Sequence, residues 1–167
     1  MRSGIRRITF LLSVTGILLL VSCSKSAQTP EQGMTTDSLP VYDSVLAKRL
    51  GADDYGMKPM VMVYLKKGPV RNQDSATAAE IQKGHMANIE KLARERKLLL
   101  AGPFLDEGEV RGIFIFDVPT VEEARKLTET DPAVQSGRLI MELHPWYGSA
   151  ALVLLDSLHR KLQKKSF

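Results

Sequence analysis

Short apolar runs alternate with an amphipathic segment along the middle of the chain. Four stretches of strand length are bounded by Gly, Pro or polar clusters: Met60–Leu65, Leu98–Ala101, Gly112–Asp117 and Leu139–His144. Such runs are typical of buried or half-buried strands. Between the first two, Thr77–Arg96 places Ile81, Ile89 and Leu92 on one face, which predicts an amphipathic helix. Thr77, with a glutamate three residues later, predicts a capping box at its start.

A second helix is predicted after the third strand. Thr120 and Glu123 form another capping box. Asp131 is followed by proline, which predicts an N-cap and a short helical turn over Pro132–Ser136. The predicted order is therefore β-α-β-β-α-β. This is the ferredoxin-like arrangement, an α+β fold with an antiparallel sheet and both helices on one face.

The opposite face of such a sheet lacks cover within one chain. Apolar strands would leave a large exposed patch there, and a patch of this kind marks an interaction surface. Pairing of two sheets across a two-fold axis would cover it, so a homodimer is predicted. Residues 149–167 predict a closing helix, over Ser149–Lys164, that either covers part of this face or braces the partner. Residues 41–57 predict an arm that packs on the domain formed by residues 58–148.

The first 40 residues have a different character. Basic Met1–Arg7 precedes an apolar run, Ile8–Val21, that is too short for a membrane-spanning helix. This pattern is typical of a secretory signal peptide, predicted here over residues 1–22. The run ends in Leu-Val-Ser-Cys at Leu20–Cys23, which resembles the lipobox of bacterial lipoproteins. The resemblance implies cleavage before Cys23 and attachment of lipid to its sulfur, which would anchor the protein to a membrane.

Residues 23–40 are rich in Ser, Thr, Gln and Pro, and predict a flexible tether. Cys23 is the only cysteine, so no intramolecular disulfide is possible. Ser24 rather than aspartate follows it, which implies sorting to the outer membrane. The predicted location is therefore the cell envelope, on the periplasmic face of the outer membrane. The alternative is a cytoplasmic protein with an uncleaved anchor helix.

Net charge gives no reason to expect a nucleic-acid partner. The formal charge is +4, but Arg2, Arg6 and Arg7 lie in the predicted signal peptide. Removing these three from the 23 Lys and Arg residues leaves 20, against 19 Asp and Glu residues. Aromatic residues are few and show no basic–aromatic pattern, so binding to nucleic acid is not expected.

One titratable side chain is aimed at the predicted core. His85 lies on the apolar face of the first helix, one turn from Ile81 and one turn from Ile89. The ordinary interpretation is a core histidine satisfied by a hydrogen bond, and Asp131 alone is no more than a helix cap.

Six short motifs occur in a fixed order along the chain. They are G-H-M-A-N-I at Gly84–Ile89, L-A-G-P-F at Leu100–Phe104, G-I-F-I-F at Gly112–Phe116, E-E-A at Glu122–Ala124, T-D-P at Thr130–Pro132 and H-P-W at His144–Trp146. In this order they resemble the YCII-related domain family. The resemblance implies a dimeric α+β barrel and a His–Asp pair formed by His85 and Asp131. In such a pair the carboxylate of Asp131 would fix the tautomer of His85 and stabilise its imidazolium, and His85 would serve as a general base or acid. The family usually has a bulky residue after D-P, and this chain has Ala133 at that position. The smaller side chain implies a wider pocket or a different substrate.

The resemblance also implies a small-molecule pocket. One relative is a dehydrochlorinase of a substituted hydroxyquinol, and the wider superfamily includes muconolactone isomerases and antibiotic-type monooxygenases. Pro103 and Phe104 are expected at the pocket mouth, where the second strand ends. The predicted function is a lyase or isomerase without a cofactor, acting on a small cyclic acid or phenol. The alternative is a non-catalytic module that binds a ligand or a protein at the cell envelope.

No metal is expected. His144 and Trp146 are interpreted as structural residues at the end of the last strand. A metal site built from His85, Asp131 and His144 is conceivable, but no local ligand spacing supports it.

Overall fold

The computed structural model describes residues 41–165. The predicted signal peptide, Cys23 and the predicted tether lie outside the described residues. The helices and strands, in chain order, are α1 (Ser44–Leu50), β1 (Met57–Lys67), α2 (Ser75–Arg94), β2 (Leu98–Pro103), β3 (Val110–Phe116), α3 (Val121–Thr128), α4 (Pro132–Gln135), β4 (Leu139–Ser149), a 3₁₀ helix (Ala150–Leu154) and α5 (Leu155–Leu162). Within residues 41–165, no helix is long and apolar enough to cross a bilayer.

The four strands form one antiparallel sheet in the order β2-β3-β1-β4. This order confirms the predicted ferredoxin-like α+β fold. β1 and β4 are both longer than their apolar runs indicate. They stay paired from Met57 opposite Ser149 to Lys67 opposite Leu139.

The extension of β4 corrects the predicted C-terminal helix. Ser149 is the last residue of β4, and its hydroxyl accepts a hydrogen bond from the amide of Ala151 at 3.3 Å. The chain then forms the 3₁₀ helix before α5 begins at Leu155. The prediction of one continuous helix over Ser149–Lys164 was wrong because pairing with β1 holds the first of these residues in the sheet.

The start of α2 also differs from its prediction. The N-cap is Asp74, whose carboxylate accepts hydrogen bonds from the amide of Thr77 at 2.9 Å and from its hydroxyl at 2.8 Å. Thr77 is therefore a donor in the first turn, and the predicted capping box of Thr77 and Glu80 was wrong. The predicted caps at Thr120 and Asp131 are confirmed.

Asp74 gives the start of α2 a dependence on pH. Hydrogen bonds from the amide and then the hydroxyl of Thr77 hold the pKa of Asp74 below its ordinary value of 3.8. Stabilisation from a lowered carboxyl pKa is present above the ordinary value and is lost as pH falls through the folded value. Asp74→Asn keeps a capping side chain but cannot titrate. We expect its urea midpoint to fall less than that of the wild type between about pH 4 and pH 2.

Asp54→Asn is the matched control for this measurement. Asp54 is exposed and makes no side-chain hydrogen bond within the described range, so the variant should follow the wild-type acid profile. Equal acid sensitivity of Asp74→Asn and the wild type would contradict the role assigned to the cap.

The main hydrophobic core lies between the sheet and the helices α2 and α3. Its buried members come from every strand except β4, from α2, α3 and from the segment that follows β3: Val61, Val63, Leu65, Leu92, Leu98, Phe114, Phe116, Val118 and Ala124. Alternate residues of β1 point to this helix-covered face, as a strand requires. The core fixes α2 against the sheet, and α2 carries His85.

The other sheet face, called the outer face below, is covered in part by the C-terminal segment. Met60, Leu99 and Ile115 are buried there against Trp146 and the 3₁₀ helix. A register shift between Leu98 and Leu100 turns both Leu99 and Leu100 toward this cluster. The rest of the outer face carries residues that are half-buried or exposed: Tyr64, Ile113, Ile140, Glu142 and His144.

Candidate functional site

His85 and Asp131 are joined by a short hydrogen bond. Nδ1 of His85 lies 2.7 Å from Oδ2 of Asp131, although the residues are 46 positions apart in the chain. The side chain of His85 is 14% exposed and that of Asp131 is fully buried. The imidazole also stacks on Phe114 of β3, with ring centroids 6.1 Å apart. The ring is therefore fixed from one edge and one face.

The second oxygen of Asp131 is also occupied. Oδ1 accepts a hydrogen bond from the amide of Ala133 at 2.8 Å, where Asp131 caps α4. An ionised carboxylate only accepts hydrogen bonds, so Nδ1 of His85 donates. In the neutral ring, the basic nitrogen is then Nε2. This division of roles matches the histidine–carboxylate pairs that orient a general base.

Nε2 of His85 keeps access to a cavity. Within residues 41–165, Nε2 has no hydrogen-bond partner. It is not fully buried either, because the only fully buried side-chain nitrogen or oxygen without a partner in this range is Nδ2 of Asn88. His85 contributes to the wall of a cavity of about 520 Å³ between α2 and the sheet. Small-molecule sites are commonly cavities of about 300–1,000 Å³. The arrangement therefore presents a basic nitrogen to a space of ligand size.

A close approach of two backbones places the pair together. Gly84 of α2 packs against the ring of Pro132. Gly84 directly precedes His85, and Pro132 directly follows Asp131. A Cβ at position 84 would lie 2.9 Å from Cγ and 3.3 Å from Cβ of Pro132. Only glycine lets α2 and α4 come this near without displacement.

Gly84→Ala is expected to separate His85 from Asp131 with little net change in stability. The gain in helix propensity, about 1 kcal/mol, is offset by overpacking against Pro132, which costs about 1–3 kcal/mol. The downfield NMR signal of the Nδ1 proton of His85 should weaken or move upfield. Ala87→Gly, at an exposed position of the same helix, should lose stability but keep the signal. An unchanged signal in Gly84→Ala would contradict the packing argument.

Asn88 gives a second link between α2 and the segment before Asp131. The hydroxyl of Thr130 lies 2.7 Å from the carbonyl of Leu127 and 3.1 Å from Oδ1 of Asn88. One hydroxyl proton cannot serve both acceptors, so the shorter contact takes it. Rotating the amide by half a turn would let the otherwise unpaired Nδ2 donate to Thr130. Sequence analysis did not assign a role to Asn88, which lies one turn after His85.

The structure brings together some of the other predicted residues and separates the rest. Pro103 and Ala133 line the cavity, whereas Phe104 is exposed and does not contribute to its wall. His144 lies on the outer face, where it contacts Glu142 and the ring of Tyr64. The conceivable metal set with His85 and Asp131 is therefore divided between two faces of the sheet. Among the described residues, no three His, Cys, Asp or Glu side chains converge on a metal position.

Three arginines in the cavity wall were not found by sequence analysis. Arg71 follows β1, Arg111 lies in β3, and Arg138 precedes β4. They share no sequence motif. In this topology, however, the end of β1 and the starts of β3 and β4 lie at one end of the sheet. Strand order combined with the positions of basic residues could have indicated the cluster.

Comparisons with known proteins give one family. The sequence profile of the YCII-related domain matches residues 57–147, slightly more than half of the chain. The uncharacterized protein YjpA of Bacillus subtilis (strain 168) is 30% identical over 63 residues, which are 38% of this chain and 72% of YjpA. Among solved structures, 5-chloro-2-hydroxyhydroquinone dehydrochlorinase (TftG) from Burkholderia phenoliruptrix AC1100, in complex with 2,5-dihydroxybenzoquinone, is similar over 52% of this chain and 93% of its own. That pair has 20% identity and a TM-score of 0.40.

Proposed function

This chain belongs to the YCII-related domain family, and on that premise we propose that it binds a small molecule beside His85 and catalyses a proton transfer without a cofactor. The observation that carries the proposal is the 2.7 Å contact between Nδ1 of His85 and Asp131, with Nε2 left unpaired beside the cavity. The buried carboxylate holds the ring, and the cavity holds the reacting carbon. A cyclic carbonyl acid or a substituted phenol fits these features.

The proposed step is removal of a proton from carbon. Nε2 of His85 takes the proton next to a carbonyl group, and the electrons of the C–H bond form an enolate. Asp131 stabilises the resulting imidazolium. An isomerase then returns the same proton to a different carbon. In a lyase the enolate instead re-forms the carbonyl, and its carbon–carbon electron pair forms a new double bond to the β carbon. The halide on that carbon leaves with the electrons of the broken carbon–halogen bond, and the imidazolium loses its proton to water.

Exchange of carbon-bound hydrogen for deuterium tests the general base on candidate compounds and does not require the natural substrate to be known. A panel of small cyclic carbonyl acids and halogenated dihydroxyphenols would be incubated with the protein in deuterated buffer. Loss of C–H signals would be followed by NMR, and halide release by ion chromatography. His85→Gln should lower the exchange rate about 100- to 10,000-fold. Asp131→Asn, which keeps the shape of the side chain, should also lower it.

His144→Gln is the matched control because His144 lies on the outer face. It should retain exchange. Equal rates in the wild type and His85→Gln would contradict the proposed base. Ligand binding without any exchange would favour the alternative of a non-catalytic binding module.

We also propose that the uncovered part of the outer face pairs with the same face of a second copy. Ile140 is 45% exposed on this face, where Tyr64 and Ile113 are half-buried, and exposed apolar side chains favour association. In sedimentation velocity, the wild type should be a dimer and Ile140→Lys should shift to monomer. Leu105→Lys, at a loop residue that is 98% exposed, should remain a dimer. A monomeric wild type would contradict this pairing.

Anchoring at Cys23 is a separate proposal. It is supported by the basic and apolar segments that precede Leu20–Cys23. Cells expressing the wild type should incorporate labelled palmitate into the protein and retain it in the outer-membrane fraction. Cys23→Ser should remove both the label and the membrane association. A wild-type protein without label would contradict the proposal.

A further inference from the structure

The cavity beside His85 has an uneven distribution of charge. Its wall includes three arginines, Arg71, Arg111 and Arg138, and no aspartate or glutamate. Arg111 and Arg138 are partly buried. Holding a charge partly away from water is costly unless the charge is paired. An anion bound in the cavity would therefore stabilise these positive charges.

The hydrogen bonds of these arginines go to neutral acceptors. Nη1 of Arg71 donates to the carbonyl of Arg138 at 3.1 Å, and Nη1 of Arg138 donates to Oε1 of Gln73 at 2.8 Å. Nη1 of Arg111 donates to the carbonyl of Asp106 at 2.9 Å. In the part of the chain that the structure describes, no carboxylate lies within 4.0 Å of any of the three guanidinium groups. Each group has further N–H donors that these contacts do not use.

The positions of two of the arginines are set by packed backbone. The amide of Gly68 donates to the carbonyl of Arg138 at 2.9 Å, and the amide of Val70 donates to the carbonyl of Gly137 at 3.1 Å. A side chain at Gly68 would overlap the backbone of Gly137. The loop that carries Arg71 is therefore pressed against the turn that carries Arg138. Donors fixed in advance bind an anion with less loss of freedom.

Apart from His85 and Gln82, the remaining side chains of the cavity wall are apolar. Leu65, Ile81, Met86, Ile89 and Phe114 line it together with His85. A ligand that satisfies both parts has an apolar ring or chain and an anionic group. Guanidinium groups match the two oxygens of a carboxylate in a planar, paired geometry.

We infer that Arg71, Arg111 and Arg138 form a subsite for the carboxylate of a small organic acid, in the cavity where His85 meets the rest of the same ligand. The inference rests on the proposed function for the role of His85. It adds the class of substrate and the residues that select it. The carboxylate takes up donors that the chain leaves unused, and the apolar body of the acid lies against the hydrophobic wall.

Binding of matched probes tests the subsite. Benzoate, benzamide and phenyl phosphate share an aromatic ring and differ in the polar group. Their affinities for the full chain in mild detergent would be measured by NMR titration. Benzoate should bind about tenfold or more tightly than neutral benzamide, because charge-assisted hydrogen bonds are the stronger ones. Equal affinities, or tighter binding of phenyl phosphate than of benzoate, would overturn the assignment.

Substitutions locate the contact. Arg111→Gln and Arg138→Gln should each weaken benzoate about tenfold and leave benzamide unchanged. Arg125→Gln, at an exposed position of α3, should change neither. Unchanged benzoate affinity in both cavity variants would overturn the inference. If a variant does not fold, a competition experiment with the wild-type protein tests the subsite instead. Added sodium acetate should displace bound benzoate more readily than bound benzamide. Equal displacement of the two would overturn the inference.

His85→Gln separates this inference from the proposed function. It should lose deuterium exchange and still bind benzoate more tightly than benzamide, because the three arginines are unchanged. Arginine-dependent benzoate binding without exchange of any acid would support the subsite and refute the proton transfer. Exchange of neutral carbonyl compounds that does not depend on the arginines would do the reverse.

Discussion

Replacing Asp131 with alanine is expected to lower the free energy of unfolding by about 3–5 kcal/mol, the usual cost of breaking a buried, hydrogen-bonded pair. The carboxylate is fully buried and accepts from both His85 and the amide of Ala133. The variant would leave both donors without an acceptor. Urea unfolding of a fragment that starts at Ser24 would measure the change.

A double-mutant cycle with His85→Ala assigns the loss. The two residues are in contact, so their effects should not add, and the double variant should lose less than the sum of the single variants. Asp131→Asn is the conservative comparison because an amide oxygen can still cap α4. Simple additivity would show that Asp131 stabilises the fold as a helix cap and not through His85.

Phe114→Ala is expected to lower the free energy of unfolding by about 3–5 kcal/mol as well, as large-to-small changes of buried aromatic residues do. Phe114 is 1% exposed and packs edge-on against Phe116. The ring of His85 also stacks on Phe114. The variant should therefore disturb the imidazole in addition to the core, which NMR signals of the His85 ring would detect.

Ile113→Ala is the matched control for this substitution. Ile113 is the preceding residue of β3, and its side chain is half-buried on the outer face. Ile113→Ala should lower the free energy of unfolding by less than Phe114→Ala does, and it should leave the NMR signals of the His85 ring unchanged. A smaller stability loss for Phe114→Ala than for Ile113→Ala would contradict the assignment of Phe114 to the main core.

Much of the fold could be predicted from the sequence because the strands are short apolar runs and the caps are local. Thr120 and Asp131 occupy the cap positions that their spacing indicates. The start of α2 could not be located in the same way. Asp74 and Thr77 are both acceptable N-caps in sequence, and the choice depends on which side chain receives the first amides. Pairing with Met57 likewise kept Ser149 in the sheet.

The candidate site could be predicted only where the family resemblance supplied residues. His85 and Asp131 were indicated by their motifs, and the contact between them needed the close approach of Gly84 and Pro132. The arginine wall depends on topology, because its members come from three separate segments. Phe104 was expected beside Pro103, but neighbouring residues at the end of a strand point in different directions.

The position of Trp146 determines what optical experiments on this protein would observe. It is the only tryptophan in the chain, and it packs on the outer face with Met60 and the 3₁₀ helix. Its emission would therefore report the docking of the C-terminal segment and not the surroundings of His85. A ligand in the His85 cavity lies across the sheet from this fluorophore. Quenching of Trp146 fluorescence on ligand addition would consequently indicate a movement transmitted through the strands. If the sheet is rigid, the fluorescence should not change.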